Sequence, residues 1–177
     1  MLPISEVRAI LSASPAVYRS LLTALPQDAL HFRDAPESWT PFQVLCHVVD
    51  GEMTDWIPRL ERILSDNPAK PFTPFDREAG FRLYAGWGLP ALLDEFDRLR
   101  TLNLTRLAEV DVNAAMLART GVHPAFGTVT LGQLVACWAT HDAAHIAQIS
   151  RSLTRYAGAH IGPWRAYFSV LAADDRR

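Results

Sequence analysis

Two of the six histidines in this 177-residue chain stand four residues apart, in His141-Asp142-Ala143-Ala144-His145. On a helix that spacing stacks two imidazoles on one face, the arrangement from which a pair of side chains can ligate one divalent ion. Leu131, Leu134, Trp138, His141, His145, Gln148 and Ser152 recur at steps of three and four. Both rings therefore share an apolar stripe and should face neighbouring helices rather than water. An imidazole buried without a partner costs a few kcal/mol, which a divalent ion or a set of hydrogen-bond acceptors would offset. His47, on an earlier helical segment, is the candidate third ligand. Three imidazoles leave zinc, nickel or iron with open positions, as in catalytic rather than closed structural sites. Gly51, one turn after His47, and Ala144 leave space beside the ligands for water or substrate.

Two carboxylates are candidates for catalysis. Asp50 follows His47 by three residues and faces a similar direction, so it could orient a ligand or act as a base. Asp142 lies about 100° round the helix from His141, which suits a contact behind a ligand. Other metal chemistries fit less well. His-Glu-x-x-His peptidases need a downstream third ligand; no His or Gly stands at the extended metzincin spacing, and no glutamate follows Glu109. A non-haem iron triad would need Asp50 or Asp142 as a ligand. A closed, non-catalytic metal module would need a fourth ligand, for which Cys46 and Cys137 are candidates, although a buried free thiol is the ordinary state of such residues. His31, His123 and His160 fall in loops or at helix edges, where solvated surface is the default. His123, beside Pro124 in the loop before the histidine helix, is the exception to watch.

The elements that must position these residues are helical. Val7, Ile10, Leu11, Val17, Leu21, Leu22 and Leu25 mark a first helix, with a bend or restart expected at Ser14-Pro15. Thr40-Pro41-Phe42-Gln43 is a capping box that opens the helix carrying His47, and Pro58 should kink it before it ends near Ser65. Residues 66–89, dense in proline, glycine and aromatics, form an ordered crossover. A third helix starts about Pro90, and a second irregular stretch runs from Asp111 to Val129. Thr130-Leu131-Gly132-Gln133 repeats the capping box and opens the histidine helix, which should reach about Tyr156. A short final helix follows Gly162-Pro163, and no strand-like alternation is evident. The five tryptophans are expected in the core and crossover. The fold class is all-α: a four-helix bundle, with the long crossover between helices 2 and 3, in one domain spanning residues 1–177.

Bulk properties narrow the partners. The net charge of −2 and the absence of a basic block argue against nucleic acid. No apolar run reaches the ~18 residues of a membrane span, and the N-terminus lacks a signal-peptide pattern, so a cytoplasmic protein acting on a small molecule is expected.

The segments Trp39-Thr40-Pro41-Phe42-Gln43-Val44-Leu45-Cys46-His47 and Thr140-His141-Asp142-Ala143-Ala144-His145-Ile146-Ala147-Gln148-Ile149 resemble the DinB-like superfamily, including its YfiT-like branch. Asp55-Trp56-Ile57-Pro58-Arg59, Pro74-Phe75-Asp76-Arg77 and Gly162-Pro163-Trp164-Arg165 are similar to that group in the same order. The resemblance implies an up-down-down-up bundle, a divalent metal on His47, His141 and His145, and frequent homodimers. It further implies a metal-dependent hydrolase or a transferase using a low-molecular-weight thiol, with a non-catalytic metal-binding stress-response module as the alternative.

Overall fold

The computed structural model describes residues 2–110 and 112–172. Its long helices are α1 (Ile4–Thr23), α3 (Pro41–Thr54) continued by α4 (Trp56–Leu64), α6 (Leu89–Glu109) and α8 (Leu131–Gly158). Shorter pieces fill the connections: α2 (Gln27–Leu30), α5 (Ala79–Leu83), α7 (Ala114–Leu117), a 3-10 turn at Gly162–Tyr167 and α9 (Ser169–Ala172).

Side-chain pairings fix the helix directions. Arg19, late in α1, binds Asp94 and Asp97, early in α6, while Arg8, early in α1, donates to the Leu107 carbonyl, late in α6. These two helices are therefore antiparallel. The lower core joins Val44, Leu45 and Val48 of α3 to Leu92, Leu93 and Phe96 of α6, and to Ile149, late in α8. The other core joins Trp56, Leu60 and Ile63 of α4 to Leu107 of α6, and to Leu131, Val135 and Trp138, early in α8. The α3–α4 pair thus runs parallel to α6 and opposite to α8, an up-down-down-up order. A parallel pair cannot be joined by a tight turn, which is why residues 65–88 form a long crossover.

Between the two apolar clusters lies one buried polar layer. Arg100 of α6 is 2 % exposed. Its guanidinium bonds Glu52 of α3 at 2.8 and 3.0 Å and Asp142 of α8 at 2.7 and 3.2 Å. It also donates at 2.7 Å to Ser14 Oγ and to the Leu11 carbonyl of α1. Ser14 Oγ bonds Asp142, the Trp138 indole and Asn103 donate to Glu52, and the Tyr18 hydroxyl donates to the Asp142 carbonyl. A guanidinium has five donors in a fixed plane, so the bonds it makes set the relative heights of all four helices.

The prolines differ from expectation. Helix α1 runs through Pro15 without interruption. Proline at 15 has no N–H for the Leu11 carbonyl, and the Arg100 guanidinium supplies that acceptor's donor instead, at 2.7 Å. Pro58 does break its helix, but at Asp55: the proline ring crowds the carbonyl four residues back, at Thr54, where α3 ends.

The stretch 111–129 is not irregular throughout. Thr120–His123 and Gly127–Thr130 form an antiparallel hairpin, β1 and β2, pairing Gly121 with Val129 and His123 with Gly127. Gly127, at φ 71, closes the three-residue loop. Strands of four residues interrupted by glycine are too short for period-two alternation to stand out. The core assignment of the tryptophans also needs amendment: Trp56 and Trp138 are buried, Trp39 is partly so, and Trp87 and Trp164 are exposed. No helix among the described residues is long and apolar enough to cross a membrane.

Removing the Arg100 side chain strands two buried carboxylates. Arg100→Ala is expected to cost about 3–5 kcal/mol. Arg106→Ala, which breaks the solvent-exposed pairs to Glu61 and Glu109, should cost far less. Urea unfolding of the two variants against the parent chain checks the contrast.

Candidate metal centre

The α3 and α8 capping boxes are both present, with Thr40 and Thr130 hydroxyls accepting from the Gln43 and Gln133 amides. Each helix start is thereby fixed, His47 falling in the second turn of α3 and His141 and His145 near the middle of α8. His47 Nε2 lies 2.9 Å from His141 Nε2, and His145 Nε2 lies 3.1 Å from the same atom. One ring nitrogen from each residue lies within 4.8 Å of the others.

The far side of each ring decides which nitrogen is bare. His47 Nδ1 is 3.0 Å from the Arg77 carbonyl, which can only accept, so Nδ1 carries the proton and Nε2 presents a lone pair. His145 Nδ1 donates to Gln148 Oε1 at 2.8 Å with the same consequence. His141 Nε2 can donate to one of these two nitrogens but not both, so without a cation a lone pair faces a lone pair. Its Nδ1 is buried and has no hydrogen-bond partner among the described residues. A divalent ion relieves that conflict. Two nitrogens at ~2.0–2.1 Å from one ion and near a right angle apart would be about 2.9–3.0 Å from each other, which the two His141 spacings match. The His47–His145 pair, within 4.8 Å, closes by roughly half an ångström when both rings share one ion. The donor set therefore fits a divalent metal on three neutral imidazoles.

Burial keeps the rings neutral. It lowers His47 to about 4 and His141 to about 2, with further lowering from His145, and it lowers His145 against the opposing pull of Gln148 and Asp142. Trp39 packs over His47 at 4.8 Å and lies parallel to His145 at 6.2 Å. Gly80 allows the support from Arg77: a Cβ there would run into the Cys46 carbonyl and Asp50, so only glycine lets α5 approach α3 this closely.

A cavity of about 820 Å³ opens onto the three rings. Its walls come from α4, the crossover, the hairpin and the start of α8, with Trp56, Phe72, Phe75, Phe126 and Leu134 among the lining residues. The backbone of β1 is pressed against Ile63 and Phe72 at Gly121, and the Phe72 amide donates to the Val122 carbonyl at 2.9 Å, tying crossover to hairpin.

The three histidines converge; the two candidate carboxylates do not join them at the cavity. Asp142 is fully buried against Arg100 and Ser14. Asp50 is 3 % exposed, beside Thr54 and below Gly80, with burial raising its carboxyl. The space expected at Gly51 is taken by the Trp56 indole, and Ala144 faces solvent. Cys46 is buried, its thiol pushed up to about 12, whereas Cys137 is exposed and lines the cavity. His31 and His160 are exposed. His123 lines the cavity, stacked on Phe126 at 4.4 Å, with Nδ1 accepting from the Ala125 and Phe126 amides.

Sequence reasoning assigned no role to Asp55 and Arg59, which form a 2.6 Å ion pair on the cavity wall. Burial raises Asp55 to about 6 despite Arg59. The signal was their i, i+4 spacing across the break before Pro58.

The DinB superfamily model matches residues 10–149, and the chain belongs to that superfamily. It is 26 % identical over 141 residues, 77 % of either chain, to an Oceanobacillus iheyensis protein named "Putative metal-dependent hydrolase". Its fold is similar to that of Bacillus subtilis YfiT, described as "a probable metal-dependent hydrolase with an unusual four-helix bundle topology", with a TM-score of 0.73, 22 % identity and 87 % of each chain covered. TT2238, a four-helix bundle protein, aligns with a TM-score of 0.60 and 24 % identity over 84 % of this chain and 98 % of its own.

His141 Nε2 lies within bonding reach of both other rings, so His141→Ala is expected to abolish stoichiometric zinc or nickel binding. Elemental analysis after dialysis checks this, and unchanged metal content would remove His141 from the ligand set.

The pH dependence of the metal-free protein has a defined sign. Histidines with lowered folded pKa values contribute fully above about 6.5, and that contribution is lost as pH falls toward about 4. Raised Asp55 acts in the opposite sense over part of the same range. The difference in melting temperature between the parent chain and a variant with all three histidines changed to glutamine isolates the rings, and it should move against the parent as pH falls from 6.5 to 4.

Proposed function

We propose that the chain is a metal-dependent hydrolase of small molecules, with His47, His141 and His145 as the ligands of a divalent ion. The observation that carries the reading is the convergence of three neutral ring nitrogens at a cavity large enough for a small molecule. Zinc, nickel and iron all accept imidazole, and a divalent ion bound there would lower the pKa of a coordinated water or polarise a substrate oxygen. The hydrolase names of relatives support this reading.

The protein's own groups do the remainder. Arg77, through its carbonyl, and Gln148 hold the His47 and His145 rings with their bare nitrogens inward. Aromatic walls exclude bulk water and hold an apolar substrate body. Asp55, the carboxylate on the cavity wall, holds or releases a proton in the neutral range, and Arg59 keeps it oriented. Asp142 and Asp50 act through the scaffold, Asp142 by setting the height of α8. A low-molecular-weight thiol entering in place of water would make the same site a thiol-dependent transferase, the finer alternative. A homodimer is the expected assembly.

Zinc- and nickel-loaded protein should hydrolyse members of a panel of small esters, lactones and amides, with the rate lost on chelation. A rate that requires added thiol would assign transfer instead. No metal-dependent rate at full occupancy, with or without thiol, would overturn the enzymatic reading in favour of a metal-binding module. Asp55→Asn should lower kcat about 10²-fold at unchanged metal content and remove the limb of the pH profile near 6.

A further inference from the structure

We propose that the cavity is built for anionic molecules, a carboxylate on an apolar body, and that the Arg77 guanidinium holds the carboxylate. The inference rests on the reading of this cavity as a substrate site and adds the class of substrate.

The charges facing the cavity carry the argument. The three histidine rings are neutral donors, so ligand charge does not compensate a divalent ion held by them. Asp55 is the carboxylate among the lining residues, and Arg59 already occupies it at 2.6 Å. Arg77 is the other cationic residue among those that line the cavity. No carboxylate among the described residues pairs with it; its neighbour Asp76 is taken by Arg82 at 2.5 Å. Its guanidinium carbon lies 5.0 Å from the centroid of the Trp39 ring, a contact that consumes none of the five N–H donors.

The position of this unpaired cation is constrained. Its own carbonyl binds His47 Nδ1, and Trp39, over which it lies, packs on His47 and His145. The guanidinium is therefore anchored at the rim of the ring cluster through both its own backbone and the Trp39 ring. The remaining wall is aromatic and aliphatic, from Phe72, Phe75, Phe126, Val129 and Leu134. A planar, doubly acceptor carboxylate matches the guanidinium fork, and an apolar chain matches the wall.

The test is equilibrium binding of 3-phenylpropionate, 6-phenylhexanoate and octanoate, each against its primary amide, measured by calorimetry on the full chain both zinc-loaded and metal-stripped. The parent chain should bind at least one carboxylate roughly tenfold more tightly than its amide in both forms. Arg77→Gln, which keeps the backbone carbonyl on His47, should lose that preference while amide affinity and zinc content stay within twofold. No carboxylate preference in any pair, including no binding of either member, or a preference that survives in Arg77→Gln, overturns the proposal. Failure of the hydrolase reading would show separately, as absent turnover with the carboxylate preference intact.

Discussion

The bonds around Arg100 are the constraint on which the convergence of the three histidines depends. One guanidinium, buried midway along the bundle, reaches Glu52 on α3, Asp142 on α8 and both Ser14 and the Leu11 carbonyl on α1. Apolar contacts alone would tolerate one helix sliding past another by a fraction of a turn, because hydrophobic burial is not directional. A planar donor array with matched acceptors does not. Asp142 is the residue after His141, and Glu52 lies five residues beyond His47, so the polar layer fixes the heights of the two ligand-bearing helices directly beside the ligands. Pro15 belongs to the same device: the carbonyl it leaves without a helical donor is one that Arg100 uses.

With the backbone registered, the chemistry follows from burial and from the outer partners of the rings. A carbonyl behind His47 and an amide oxygen behind His145 each hold a proton on the far nitrogen. Burial then opposes protonation of the near nitrogens. The result is a concentration of lone pairs that hydrogen bonding within the trio cannot satisfy, and a cation resolves it. Asp55 shows the opposite effect of the same burial: the low-dielectric wall that keeps imidazoles neutral also favours the neutral carboxyl.

Much of this was legible in the chain. The two Thr-x-x-Gln capping boxes located the starts of α3 and α8 to the residue, and helical spacing placed His141 and His145 on one face. The need for a long crossover was visible in residues 66–89, and its role as a cavity wall is consistent with the aromatics there. Other features depended on distant partners. Nothing near Asp142 announces Arg100, 42 residues earlier, so the ion pair that ties its carboxylate to α6 was not legible there. Gly51 read as open space because the later turn that swings Trp56 beneath it comes from Pro58, whose effect falls four residues upstream of the proline. The hairpin was missed because its evidence lies in pairing: Gly121 and Gly127 weaken any strand pattern, yet one permits contact with Phe72 and the other the turn.

These two groups of residues divide the work of the molecule. The registered bundle supplies the three converging histidines, whereas the cavity's shape and charge come largely from α4, the crossover and the hairpin. Solved bundles that align at 22 % and 24 % identity therefore bear on the first group through their fold and leave the second undetermined. Asp55, Arg59, Arg77 and the aromatic wall line the cavity and make none of the Arg100 hydrogen bonds, so on the proposed reading the admitted molecule can change while that layer stays in place. Conversely, a change in that layer would displace the rings while leaving every wall residue in place. The separation explains how a single bundle could keep one metal chemistry while the molecules admitted to it differ.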